Sequence, residues 1–428
     1  SCAEKKAYVN YKNAPDMEKK NTEFLWRSAK KTLNKAITKK EKQTLKHKIE
    51  TLESMRSKDP RSYWKGLYDL DNPVRDNCKI PMLIKDSNGQ IVTGNDACNA
   101  WIESFSKLGR ESSDFSDFDT SFYIHIKEKV KQFVNLSYHN ECILDTPFTL
   151  EEVKSAISNL GKGKAVGLDG IMNEVFKYGG EMVAVYLLKF YQKIFDNETF
   201  PLEWARGLIV PLFKGGPEEF KMDPNKYRGI TLLSIVGKTY TSILNKRIYN
   251  FIEQNNILAD EQCGFRENRS TTDQIFILTE IIKNRRPRKT FCAFIDLAKA
   301  YDKVWREGLW YKIFKYGICG KMWRVLKNIY AKVESCIRLG NNRTDFFTLE
   351  VGLRQGCILS CILFLLFIND LAEVINRLNK GVRFGGRKIS ILLFADDIVI
   401  FAENKEDLEF MLNVVSEYCW KWRCKVNY

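Results

Sequence analysis

Residues 389–402, ISILLF-ADD-IVIFA, set two apolar, β-rich runs on either side of a tight acidic turn at Asp396 and Asp397. Such runs, interrupted by so short a polar break, read as a β-hairpin. A hundred residues before Asp396, the run FCAFID (291–296) has the aromatic and β-branched character of a buried strand and ends in Asp296. Each acid alone is explained by local structure, because Asp is common in turns and at strand ends. Together they constrain the fold more sharply. If the strand lies beside the hairpin, three carboxylates converge at one sheet edge, where they repel and raise one another's pKa. Divalent cations resolve that conflict, and carboxylate oxygen is the ligand type Mg²⁺ prefers. Two such ions, roughly 3.5–4 Å apart, can activate an attacking oxygen and stabilise a leaving one during in-line phosphoryl transfer.

The charge balance says what the phosphoryl compound is. Lys and Arg outnumber Asp and Glu by 68 to 53 over 428 residues, a net charge of +15. Residues 1–70 hold 18 Lys/Arg against 9 Asp/Glu, so the excess is concentrated at the start. A surplus of this kind favours a polyanion such as nucleic acid over a small phosphate ester. The 12 cysteines are irregularly spaced and the polar opening SCAEKKAYVNYKN lacks the apolar core of a signal peptide. Cys292 and Cys357 lie in apolar runs and read as reduced core thiols. The pairs Cys357/Cys361 and Cys419/Cys424 have no second pair at zinc spacing, and His47, His125 and His139 lie far upstream. A zinc site is therefore not expected. The apolar run from Cys357 to Ile368 is short of the roughly 20 residues a membrane span needs. The expectation is an intracellular protein, cytoplasmic or nuclear and not secreted, with no membrane partner.

Along the chain, residues 17–57 place Leu33, Ile37, Leu45, Ile49, Leu52 and Met55 at helical spacing on a basic surface. A solvated helix or helical pair is the plain reading, and binding of backbone phosphates is compatible with it. Asp86, Asn88 and Gly89 signal a turn, followed by an amphipathic helix around Trp101 and Phe105. Thr149 and Glu152 form a capping box, with Phe148 and Val153 as its staple. The helix they open is expected to end at a left-handed Gly161. GKGKAVGLDG fails both phosphate-loop patterns, because Leu168 follows Gly167 and Val166 stands where the dinucleotide pattern needs Gly. What remains is a basic loop with Lys162 and Lys164. ARGLIVPLFKGG reads as a strand and a turn, YRGITLLSIVGKTYTSILNKRI as a short strand and a basic helix, and KNRRPRK (283–289) as a solvated basic loop.

Seven segments in order carry a specific resemblance. FIDLAKAYDKV, GLRQGCILSCILF and FADD resemble palm motifs A, B and C of reverse transcriptases, nearest to those of non-long-terminal-repeat, LINE-type retrotransposons. GKAVGLDGI, IVPLFKGG, KYRGITLLSIVGK and QCGFRENRSTTDQI resemble the finger motifs of the same enzymes. The resemblance spans about residues 146–428. It implies an α+β, right-hand polymerase fold, its palm an antiparallel sheet packed on helices, with a basic, mostly helical extension ahead of it. The implied division is 1–145 for the extension, 146–290 for fingers with part of the palm, and 291–428 for the palm through the start of motif D. The thumb, and the endonuclease such proteins carry, are expected in sequence outside these residues.

The activity implied is RNA-directed DNA synthesis, with an RNA template, a DNA primer, deoxynucleotides and two Mg²⁺ ions, Mn²⁺ being the substitute. A catalytically silent, nucleic-acid-binding remnant of such an element is the alternative. By resemblance, Asp296 and Asp396 ligate the metals and Asp397 completes the acidic cluster. Tyr301 matches the aromatic under the incoming sugar, where its ring excludes a 2′-hydroxyl and so argues against a polymerase of ribonucleotides. Gln355 and Gly356 match the motif packed against the nascent base pair. Lys214 and Arg228 match finger cations on the triphosphate, and Phe265 and Arg266 match a segment near template and nucleotide. Three departures stand out: Cys361 and Gly229 replace Pro, and Phe394 replaces Tyr before ADD.

Overall fold

The structure is a computed structural model in which the described residues are 2–15, 18–55, 83–111, 114–140, 142–340 and 342–427. It is mixed helix and sheet, as an α+β chain should be. It divides into two compact units, 1–104 with 211–228 and 337–344, and 105–210 with 229–336 and 345–428. The boundaries expected at 145 and 290 both fall inside the second unit, because its core is assembled from segments distant in sequence.

In the first unit the helix Cys2–Asn13 packs on Lys19–Met55. Rings join them: Tyr11 stacks on Trp26 with centroids 5.3 Å apart, and Tyr8 tilts against the same indole at 4.9 Å. The long helix follows the spacing of Leu33 and Ile37; the side chains of Leu45, Ile49, Leu52 and Met55 lie outside the described residues, as do residues 56 and 57. The turn at Asp86 closes the hairpin Ile84–Lys85/Ile91–Val92, with Asp86 Oδ1 accepting from the N–H groups of Asn88 and Gln90. Trp101 is fully buried against the edge of Tyr227.

In the second unit the Thr149 capping box is present, its hydroxyl accepting from Glu152 N–H and Glu152 accepting from Thr149 N–H. Burial pushes the Glu152 carboxyl up, but the Arg247 guanidinium and the cap outweigh burial and hold it below its ordinary range. The helix ends at Ser158 with right-handed Asn159 as its cap, so Gly161 does not terminate it; the left-handed residue is Gly163 (φ +64), whose N–H is taken by Glu174. KNRRPRK is not a wholly solvated loop, since the helix Thr271–Arg285 includes its start and buried Arg285 pairs with Glu403.

Three strands form the sheet that matters for chemistry, in the order Ile391–Phe394, Asp397–Ala402, Phe291–Asp296, all antiparallel. A second sheet runs Tyr227–Leu232, Arg206–Phe213, Glu334–Leu339, Asn342–Arg343, with Phe347–Thr348 also on Glu334–Leu339; the division between units falls within its strands. One face of the first sheet, carrying Ile295, Ile398 and Ile400, is buried in the main core. The helix Lys405–Trp422 packs on the sheet. The strand Phe291–Asp296 is not the buried strand its composition suggests. It is an outer strand of the three, Phe294 is 72% exposed, and Cys292 is only half-buried. Its second face is covered near Cys292 and Phe401 by the helix of Ile281, and is open toward Asp296.

Helix Ile358–Ile368 is apolar all round, with nine of its 11 residues buried, as a core helix must be. It runs through Asn369 into Asp370–Arg377, so residues Ile358–Arg377 are long and apolar enough to cross a membrane, more than the twelve-residue run suggested. The apolar window is 72% buried inside the protein. Against its end lies Lys312, only 3% exposed, donating to Asp370 Oδ1 at 2.6 Å, Phe367 O at 2.6 Å and Tyr418 Oη at 2.8 Å. Its ammonium lies 3.6 Å from the Trp422 ring centroid, and burial lowers its pKa against the pull of Asp370. Removing one member of a buried ion pair leaves the other uncompensated. Lys312→Ala should therefore cost about 3–5 kcal/mol in a denaturant titration, and a loss below about 1 kcal/mol would show that the cluster is not what ties these helices together.

Candidate active site

The apolar pairs of the sheet fix where the acids go. Ile398 faces Ile295 and Ile400 faces Ala293 on the buried side. Slipping by one residue would turn those side chains to solvent. The same register sets Asp397 directly opposite Asp296, both exposed. Phe394 pairs with Asp397, so the turn itself is Ala395–Asp396, with Ala395 at φ +56 and Asp396 half-buried. The carboxylates thus lie at one end of the sheet, but the expected convergence of all three is not seen. They are a register rather than a cage: among the described residues no group of three or more His, Cys, Asp and Glu is gathered to hold a metal ion unaided. That suits Mg²⁺, which usually takes one or two carboxylates and completes its shell with waters and substrate phosphates. The carboxylate oxygens of Asp296, Asp396 and Asp397 are donors of the kind such a hard cation takes.

Two edges are reinforced from elsewhere. Beside Asp296, the segment Lys425–Asn427 adds a short antiparallel bridge: Ala298 N–H donates to Lys425 O at 2.7 Å and Asn427 N–H to Asp296 O at 2.8 Å. The Asn427 amide also donates to Asp296 Oδ2 at 3.1 Å. On the far edge, residues 261–263 run parallel to the strand of Leu393, with Leu393 N–H on Glu261 O and Cys263 N–H on Leu393 O.

Tyr301 is largely enclosed, stacked on Phe364 at 4.7 Å between centroids. Burial raises the pKa of its hydroxyl, and Cys361 and the Asp396 charge push the same way, so the ring lies within electrostatic reach of the acidic turn. Cys361, in the position of the missing Pro, has its own pKa raised by burial. Leu353 N–H donates to Tyr301 O at 2.7 Å and Gln355 Nε2 to both Asp302 oxygens at 3.1 and 3.2 Å, which ties motif B to motif A. Gly356 has φ +123 and a Cβ there would stand 2.3 Å from Thr231 O, so the backbone alone demands glycine.

The four finger residues divide. Phe265, at φ +54, is 52% exposed next to the hairpin turn; a Cβ on Gly264 would meet Ala395 N at 2.3 Å. Arg266 is turned inward, against the expectation of a template contact. It pairs with Glu253 through two bonds of 2.8 and 2.9 Å and donates to the carbonyls of Ala259 and Gln262. Its donors serve the loop that presents Phe265. Lys214, its N–H on Lys226 O, and Arg228, in the strand Tyr227–Leu232, are exposed and belong to the first unit. The residues that sequence reasoning passed over are Gln262 and Asn427; a lone amide in a loop carries no periodic or charge signal, although Gln262 does open QCGFR.

Comparison with known proteins identifies the family of this part of the chain. Residues 216–428 match the family described as reverse transcriptase (RNA-dependent DNA polymerase). The chain is 30% identical over 290 residues to the probable RNA-directed DNA polymerase from transposon BS of Drosophila melanogaster, covering 66% of this chain and 31% of that protein. It is 25% identical over 289 residues to the RNA-directed DNA polymerase from mobile element jockey of Drosophila funebris, covering 66% and 31%. To the retrovirus-related Pol polyprotein from type-1 retrotransposable element R2 of Nasonia vitripennis it is 24% identical over 273 residues, covering 62% and 25%. The aligned part is thus about a third or less of each relative's length. Residues 216–428, which carry all three carboxylates, belong to the reverse transcriptase family, and their relatives are the polymerases of LINE-type, non-long-terminal-repeat retrotransposons.

Proposed function

We propose that the chain provides the fingers and palm of an RNA-directed DNA polymerase, adding deoxynucleotides to a DNA primer on an RNA template. The observation that carries this reading is the register that sets Asp397 opposite Asp296 with Asp396 in the adjoining turn. Like charges directly opposite destabilise a strand pair, so the arrangement makes sense where cations are to be held. Asp296 and Asp396 would hold two Mg²⁺ ions, or Mn²⁺ in their place, with Asp397 completing the acidic cluster. When bound, such ions assist deprotonation of the primer 3′-hydroxyl and neutralise the pyrophosphate as it leaves.

The remaining work falls to the protein's own side chains. Tyr301 lies stacked on Phe364, a placement that suits a wall against a 2′-hydroxyl. Asp302 holds the Gln355 amide in one orientation, and Gly356 keeps the loop beside it bare, as contact with a nascent base pair requires. Lys214 and Arg228 are the proposed triphosphate cations. Phe265 is proposed to touch template or nucleotide, with Arg266 as the brace behind it.

Primer extension on an RNA template with Mg²⁺ tests the reading. Asp396→Ala should reduce extension on the order of a thousandfold or more while the thermal melt stays cooperative. Salt-sensitive RNA binding with no extension by the unsubstituted chain would favour the silent remnant instead. In the same assay Tyr301→Val should raise ribonucleotide incorporation roughly 10–200-fold, the range one steric contact commands. Unaltered sugar discrimination would remove Tyr301 from the gate.

A further inference from the structure

The two-residue loop that carries Asp396 has Ala395 at φ +56, a conformation disfavoured by about 1–2 kcal/mol for a residue with a Cβ. Hairpin loops with positive φ at this first position normally use Gly, Asn or Asp rather than Ala. What steadies Ala395 is the side chain of Gln262, itself fully buried. Gln262 Oε1 accepts from Ala395 N–H at 2.9 Å, and Gln262 Nε2 donates to Ala395 O at 3.3 Å. The same Oε1 accepts from Gly264 N–H at 2.8 Å. The amide orientation follows from its partners, since reversing it would set an NH₂ group against two N–H donors. Depth is fixed as well: Gln262 pairs in parallel with Leu393 through the bonds of Glu261 and Cys263, and Gly264 allows the two backbones to meet.

We propose that Gln262 is a positioning residue for nucleotidyl transfer. Its amide clamps both polar groups of Ala395 and so fixes the direction in which Asp396 is offered to the catalytic cations, a role that rests on the polymerase reading above. Glu in its place would lose the donor and set a buried charge beside Asp396, and Asn would not span the gap. The clamp makes no contact with substrate, so it acts through Asp396 alone.

The test uses this chain with Gln262→Met, which keeps the volume and removes the clamp, and the double variant with Ala395→Gly, since Gly holds a positive φ unaided. Hydrogen exchange at the Ala395 amide should quicken about tenfold in Gln262→Met, as loss of one buried bond allows, with exchange at Ile400 unchanged. The Mg²⁺ concentration for half-maximal extension should rise several-fold while KM for primer–template stays put, and Ala395→Gly should recover part of the Mg²⁺ response. A merely structural Gln262 would not move the Mg²⁺ dependence alone. Unchanged Ala395 exchange overturns the proposal, and so does faster exchange with an unaltered Mg²⁺ response. If Gln262→Met does not fold, the double variant decides: folded, with normal Mg²⁺ dependence, it supports the clamp; misfolded too, it makes Gln262 a core residue and overturns the proposal. Should the unsubstituted chain make no product, the polymerase reading falls, and equal exchange rates in the two proteins then overturn the clamp separately.

Discussion

Register between the strands Phe291–Asp296 and Asp397–Ala402 governs everything around it. Burial of Ile295, Ile398 and Ile400 is worth roughly 1.5–3 kcal/mol per side chain, and a slip would forfeit several of these at once. Against that, the repulsion of one exposed carboxylate pair is a fraction of a kcal/mol to about 1 kcal/mol. The apolar term wins, and it holds two acids face to face that would otherwise move apart. The exposed Phe294 belongs to the same logic: at this end the second face of the sheet is open, where a substrate could lie.

Three separate parts of the chain hold that open end in place. Residues 261–264 brace the hairpin from one edge, Lys425–Asn427 extend the sheet beside Asp296 on the other, and the loop of Leu353 to Gly356 ties Tyr301 and Asp302 from a third direction. None of these contacts is local in sequence. The acidic end is thus preorganised by backbone hydrogen bonds and side-chain amides drawn from distant parts of the chain.

What was legible in the sequence was what repeats or punctuates. Two apolar, β-rich runs around a short acidic break gave the hairpin, Thr149 and Glu152 gave the capping box, and the ordered motifs gave the acids and their family. What was illegible depended on tertiary neighbours. Composition made Phe291–Asp296 look buried, but its place at the outside of the sheet left Phe294 in the open. Arg266 looked like a contact residue until Glu253, thirteen residues away, took its guanidinium. Gly161 looked like a helix stop, but the cap fell earlier, at Asn159. Asn369 and Asp370 looked like the end of an apolar run, although the helical course continues through them to Arg377.

The central proposal is that Asp296 and Asp397, held opposite each other against their own repulsion, form with Asp396 an acidic end at which Asp296 and Asp396 would hold divalent cations. Thermal melting of the unsubstituted chain and of Asp296→Asn, each with and without millimolar Mg²⁺, tests it most directly. The account predicts that Asp296→Asn melts higher than the unsubstituted chain without Mg²⁺, and that Mg²⁺ raises only the unsubstituted chain. A lower melt for Asp296→Asn without metal, or equal Mg²⁺ shifts in both proteins, would contradict it.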